Sequence, residues 1–146
     1  MAKVRMGMVG GGEGAFIGGI HRMAAAMDGE IELVCGAFSS DPERSAQSGA
    51  MLYLEPERVY GDYRQMMSAE AALPADQRMQ FVAIVTPNDL HFPVAEAALG
   101  AGFHVLSDKP ATLSLAQALQ LRERVRDSGL LYGLTHTYTG YPLVKE

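Results

Sequence analysis

At 146 residues, 48% hydrophobic and 20% charged, the chain has room for one compact domain with its own core and not for two ordinary ones. A formal net charge of −5 and a pI near 5.3 exclude nucleic acid or an anionic membrane surface as the main partner, since either calls for a basic face. A small anionic cofactor held by backbone N–H groups stays open.

The first predicted strand covers residues 4–9 and runs into VGGGEGAFIGGIH, residues 9–21. Between a strand and a helix, such a turn lets the backbone approach a pyrophosphate, whose charge meets the N–H groups and dipole of the helix start. Gly10 and Gly12 fill the first two places of a G-x-G-x-x-G pattern, and Ala15 stands in the third. Gly18 is the next glycine able to lie against the helix, in a loop about three residues longer than usual. Gly10, Gly12, Ala15, Phe16 and Ile17 are the candidate cofactor cradle; a flexible loop is the bland alternative. The helix over 18–27 carries Ile20, Met23, Ala24 and Met27 at helical spacing.

The second strand, 31–38, holds the single cysteine, Cys35, which has no disulfide partner and fits a reducing, cytoplasmic setting. An NAD site usually has a carboxylate near the end of this strand for the ribose hydroxyls, whereas an NADP site has small polar and basic groups for the 2′-phosphate. Here the strand ends Phe38-Ser39-Ser40-Asp41-Pro42-Glu43-Arg44. Ser39 and Arg44 tilt the choice toward NADP over NAD, although Asp41 also reads as a helix N-cap with Pro42 in the first turn, which would make these residues structural.

A weak strand at 58–60, a helix over 62–72 and a loop-like stretch at 73–80 follow. FVAIV in the strand at 81–86 reads as fully buried, and Thr86-Pro87-Asn88 stops it at the carboxyl edge, where ligands of open α/β sheets bind. His91, at the entrance of a helix over 93–99, either contacts cofactor or substrate, or caps and packs locally. Asp89 reads as a solvated turn residue. The strand at 103–107 then ends on Asp108-Lys109-Pro110 at the same edge. Desolvation at the mouth of a partly buried site would suit Lys109 to proton transfer; an exposed turn lysine is the alternative. The helix over 114–129 has Ser114 as N-cap and Gln117 completing a capping box. Leu115, Ala118, Leu119, Arg122 and Val125 lie along one side, and Gly129 ends it. A last strand spans 130–135. The nine methionines read as core filling, not a metal site. Alternation of strands and helices predicts a three-layer α/β domain around a mainly parallel sheet of about six strands. The N-terminus lacks a signal-peptide pattern and no run is long enough to span a bilayer, so a soluble, unprocessed chain is expected.

Taken in order, Gly18-x-x-His21 after the glycine turn, T-P-N-x-x-H at 86–91 and A-x-x-x-G-x-H-V at 98–105 ahead of the strand-end motif are specific. Nearly the whole chain resembles the N-terminal domain of the glucose-fructose oxidoreductase/inositol dehydrogenase/rhizopine-catabolism family of NAD(P)-dependent oxidoreductases. The family's usual E-K-P is D-K-P here. The resemblance implies a doubly wound Rossmann-type fold, an NADP or NAD cofactor and interconversion of a hydroxyl and a ketone on a sugar, polyol or related substrate. It further implies a catalytic Lys109 reaching the substrate hydroxyl, cofactor contacts from Thr86, Pro87, Asn88, His91, Asp108, Lys109 and Pro110, and a cis bond before Pro110. Family members carry a second domain that supplies most of the substrate pocket, so residues 1–146 are expected to be a dinucleotide-binding domain incomplete for catalysis, or a stand-alone NAD(P)-binding module. Tyr138 and Tyr141 would face the second domain, His136 would sit near the junction, and the bared surface predicts self-association.

Overall fold

In the computed structural model, which describes residues 2–141 and 144, strands and helices alternate as the sequence predicts. They are β1 (Val4–Gly10), α1 (Phe16–Ala26), β2 (Ile31–Ala37), α2 (Pro42–Met51), α3 (Tyr63–Ala72), β3 (Phe81–Val85), α4 (His91–Gly100), β4 (His104–Ser107), α5 (Leu115–Ser128) and β5 (Tyr132–Leu134). The sheet is parallel throughout, in the order β2-β1-β3-β4-β5. It is a doubly wound α/β sheet with five strands where about six are expected. The weak strand at 58–60 reduces to a short 3-10 turn, Pro56–Arg58, and one isolated bridge between Val59 and Gly36. Asp62 begins the cap of α3 just beyond, so too few residues remain to extend a ladder.

Successive strand residues point to opposite faces, and the two faces are packed differently. On one, Met66 and Met67 of α3, Val94, Ala98 and Leu99 of α4 and Leu121 of α5 close over Val82, Ile84 and Val105. Each of the fully buried aliphatic side chains there contributes roughly 1.5–3 kcal/mol. On the other face, Ile17 and Ala25 of α1 cover Met6, Met8, Ala83 and Val85. Cys35 lies in the larger core; burial, with the Glu70 charge second, pushes its thiol well above its ordinary value, so it acts as packing.

Two helices turn a different side to the sheet from the one their apolar spacing predicts. In α1 and its C-cap, Ile20, Met23 and Met27 point outward and are 42%, 66% and 83% exposed. The cause is Gly18: a Cβ there would stand 2.4 Å from the Gly11 Cα, so α1 must present a residue without a side chain to the glycine turn. That contact fixes the helix rotation, and positions two, five and nine residues further on face away. In α5, Leu121 is buried with Ala118 and Val125 beside it, while Leu115 and Leu119 are exposed.

The helix ends follow local chemistry. Asp41 accepts from Glu43 and Arg44 amides, Asp62 from Arg64 and Gln65, and Ser114 from Gln117. The Gln117 Oε1 accepts in turn from the Leu113 amide, one residue before the usual capping-box partner. Gly129 ends α5 in the left-handed conformation. The stretch at 73–80 is tied down by Arg5, whose guanidinium donates to the carbonyls of Arg78 and Ala75, and by Glu70, whose carboxylate accepts from the buried Met79 amide.

Candidate dinucleotide site

At the carboxyl edge of the sheet the ends of β1, β2, β3 and β4 converge. The glycine turn leaves β1 with Gly10 at φ +81°, and a side chain there would strike the Val85 carbonyl at 2.8 Å. A Cβ on Gly12 would meet the Ser48 hydroxyl at 2.7 Å and the Phe38 carbonyl at 2.9 Å. This is a cradle that only bare backbone fits. Ser48 closes it from α2, where its Oγ accepts from the Glu13 amide at 3.0 Å and donates to the Arg44 carbonyl.

The N-cap of α1 is Ala15, which has no side-chain acceptor, whereas α2, α3 and α5 are each capped by a side chain. The first amides of α1 are thus left for an anion, which the positive helix end favours. Across the cleft, the Thr86 hydroxyl is buried with no partner among the described residues. Bare cradle, uncapped helix and orphaned hydroxyl together fit a phosphate-bearing ligand.

Gly10, Gly12, Ala15, Ser39, Arg44, Thr86 and Pro87 line one cavity of about 210 Å³. Ser39, Thr86 and Pro87 also border a second, of about 410 Å³, with Tyr63 and Leu90 on its far side. Ser39 Oγ accepts from the Asp41 amide at 3.1 Å, which leaves its own proton free to donate. Arg44 is exposed and makes no ion pair among the described residues. Phe16 stands at the rim, 82% exposed, and Ile17 turns into the core, so its backbone amide is what it offers the cleft. Asn88 is exposed in a 3-10 turn.

His91 is 1% exposed, and its ring lies between two backbone carbonyls: Nδ1 is 2.6 Å from Pro110 O and Nε2 is 3.0 Å from Thr86 O. The ring joins the turn after β3 to the turn after β4. Asp108 is held at both ends. Its amide donates to Ile84 O, and its Oδ1 accepts from the Lys109 amide at 2.9 Å and from the Thr135 hydroxyl at 2.8 Å. The shorter carboxylate therefore anchors the lysine's backbone to Thr135, one residue past β5. The Lys109–Pro110 bond is cis. Lys109 itself is exposed, so the described residues do not supply the covering expected of its side chain.

Sequence reasoning missed Ser48, Thr135 and Arg22, whose contacts join residues distant in the chain and leave no local spacing signal. It noted His21 only as a motif residue. Burial lowers the pKa of His21 from 6.5, and the Asp108 charge partly offsets this. The folded chain then takes up this proton at lower pH than the unfolded chain, so stability is lost as pH falls below about 6.5 toward the folded value. Urea titrations between pH 7.5 and 5.5 should show a decline in wild type that is smaller in His21→Gln; parallel curves would remove His21 as the cause.

Comparison with known proteins agrees with this geometry. Residues 4–136 match the family described as "Oxidoreductase family, NAD-binding Rossmann fold". The fold superimposes with a TM-score of 0.93 on an inositol dehydrogenase homologue from Azotobacter vinelandii complexed with NADH and myo-inositol. The two are 42% identical, over 99% of this chain and 38% of that one. An oxidoreductase from Sinorhizobium meliloti is 48% identical at a TM-score of 0.90, over 98% of this chain and 39% of its own. The uncharacterized oxidoreductase YfiI of Bacillus subtilis is 34% identical over 98% of this chain and 36% of its own length. The chain thus spans well under half the length of these relatives. Among the described residues, no helix is long and apolar enough to cross a membrane, and no cluster of His, Cys, Asp or Glu could hold a metal ion.

Proposed function

The chain belongs to the oxidoreductase family with an NAD-binding Rossmann fold, and from that premise we propose that it forms the nicotinamide-dinucleotide site of an enzyme that interconverts a hydroxyl and a ketone on a sugar, polyol or related substrate. The observation that carries the reading is the convergence of the glycine cradle, Thr86-Pro87-Asn88 and Asp108-Lys109-Pro110 on one sheet edge. When bound, the nicotinamide supplies the hydride acceptor or donor. The chain's own residues bind and orient. The amides of Gly12, Phe16 and Ile17 meet the pyrophosphate, the Thr86 hydroxyl gains the partner it lacks, and Lys109 Nζ takes or returns the proton of the substrate hydroxyl.

The residues that choose the substrate are assigned to the length these relatives have beyond the matched part. The exposure of Lys109 favours a second reading, a nucleotide-binding module without turnover of its own. Tyr138 and Tyr141, exposed with ring centroids 5.8 Å apart, suit a surface against which further protein packs, a second copy included.

For the cofactor, Ser39 and Arg44 support NADP: a hydroxyl with a free proton and an unpaired guanidinium flank the place where a 2′-phosphate would lie. The Azotobacter relative is complexed with NADH, so this preference rests on these two side chains alone. Nicotinamide fluorescence with NADPH and NADH tests both levels. We expect both to bind, NADPH more tightly, and Arg44→Ala to weaken NADPH roughly 10-fold, the scale of one charge-assisted contact, while leaving NADH unchanged. Binding of neither refutes the dinucleotide site; equal losses for the two refute the NADP preference.

A further inference from the structure

Arg22 lies in the second turn of α1 and reaches back beneath the glycine turn. Its Nη1 donates to the Gly11 carbonyl at 2.7 Å and approaches the Met8 thioether at 3.3 Å. The guanidinium is half-buried, and no carboxylate among the described residues pairs with it. A cation so placed has given up hydration without gaining a counter-charge, and burial draws its pKa below the ordinary value.

The peptide between Gly11 and Gly12 is trans, so its C=O and N–H point in opposite directions. Holding the Gly11 oxygen against Arg22 sends the Gly12 N–H the other way. That amide donates to no acceptor among the described residues, and Gly12 lines the cleft shared with Ser39 and Thr86. Gly11 has little freedom to choose another orientation, because it sits at φ +72° with its Cα packed on Gly18. What remains to be fixed is the peptide plane, and the arginine fixes it.

We propose that Arg22 is the positioning residue of the phosphate turn: it aims the Gly12 amide into the cleft and brings one positive charge beneath a bound pyrophosphate. The proposal rests on the dinucleotide reading above. Both contacts come from the single Nη1 nitrogen, so a lysine would supply the charge and a donor but on a flexible stem without the guanidinium's rigid plane.

The test compares wild type with Arg22→Met and Arg22→Lys, each first checked for folding by thermal melting. Adenosine, which lacks phosphate, and ADP-ribose, which carries the pyrophosphate, are titrated and followed by NMR. Arg22→Met should weaken ADP-ribose roughly 10- to 100-fold and leave adenosine unchanged; Arg22→Lys should fall between. In the ligand-free chain, the amide order parameters of Gly11 and Gly12 should drop in Arg22→Met from the rigid value of about 0.85 toward 0.6. Equal losses for adenosine and ADP-ribose would make Arg22 a general structural residue and overturn the proposal. Unchanged ADP-ribose affinity in both variants would overturn it also. A wild-type chain that binds neither NADPH nor NADH would sink the dinucleotide reading instead, a result distinct from wild-type binding that Arg22 substitution does not alter.

Discussion

Gly18→Ala is expected to abolish tight dinucleotide binding and to destabilise the fold, while Gly19→Ala, one residue along the same helix, is expected to do neither. A Cβ at position 18 would stand 2.4 Å from the Gly11 Cα and 2.7 Å from its carbonyl oxygen. Both are backbone atoms in the turn that cradles the ligand, and neither can rotate away. The strain should cost about 1–3 kcal/mol or more. It should move the turn by about 1 Å, enough to lower affinity roughly 100-fold in a site built from aligned groups. At Gly19 an added Cβ meets nothing within 4 Å, so alanine should stabilise the helix by about 0.5–1 kcal/mol. Urea unfolding and NADPH titration of the two variants make the comparison. Similar behaviour of both would mean that the Gly11–Gly18 contact does not set the turn.

The second large effect is expected at Arg58, which lines neither cavity of the cleft. Glu70 is fully buried in α3, where its two oxygens accept from Arg58 Nε and Nη2 at 2.7 Å each, from the Tyr60 hydroxyl at 3.0 Å and from the Met79 amide at 2.9 Å. Removing the guanidinium strands a buried carboxylate. Arg58→Met should cost about 3–5 kcal/mol, a large share of the roughly 5–15 kcal/mol that holds a domain together. The double variant Arg58→Met/Glu70→Gln should recover part of that loss, because no buried charge remains. Breaking the exposed Arg124–Glu96 pair with Arg124→Ala should change stability by less than about 1 kcal/mol. Urea midpoints for the three variants decide it; equal costs for Arg58 and Arg124 would show that burial of Glu70 is not what makes its network matter.

The strand edges, and with them the meeting of the glycine turn, Thr86 and Lys109, were legible because buried parallel strands read as unbroken apolar runs that end on turn residues. Caps at Asp41 and Ser114 were legible for the same local reason. The rotation of α1 was not. Apolar spacing marks a stripe on a helix but does not say which element it faces, and here a single backbone contact at Gly18 overrode it. Buried polar groups were equally silent. Glu70 and Ser45 look like surface residues in sequence, and only their partners, Arg58 and the Tyr60 carbonyl, make them interior ones. Arg22 reads as an ordinary helix charge until the fold bends the glycine turn over it.

The strand order also governs how the chain folds as it is made. β1 lies between β2 and β3, and Met6 pairs with Leu33 on one side and with Phe81 on the other. The first partner is synthesised soon after β1, but the second comes 75 residues after Met6, and parallel pairing over such a separation is slow. At about 5–20 residues per second, one edge of the central strand waits roughly 4–15 s on the ribosome with its hydrogen-bonding groups bare. Met6, Met8 and Val9 then have only half a sheet to shelter them, which makes the nascent β1–β2 pair the stage at which a chaperone has most to protect.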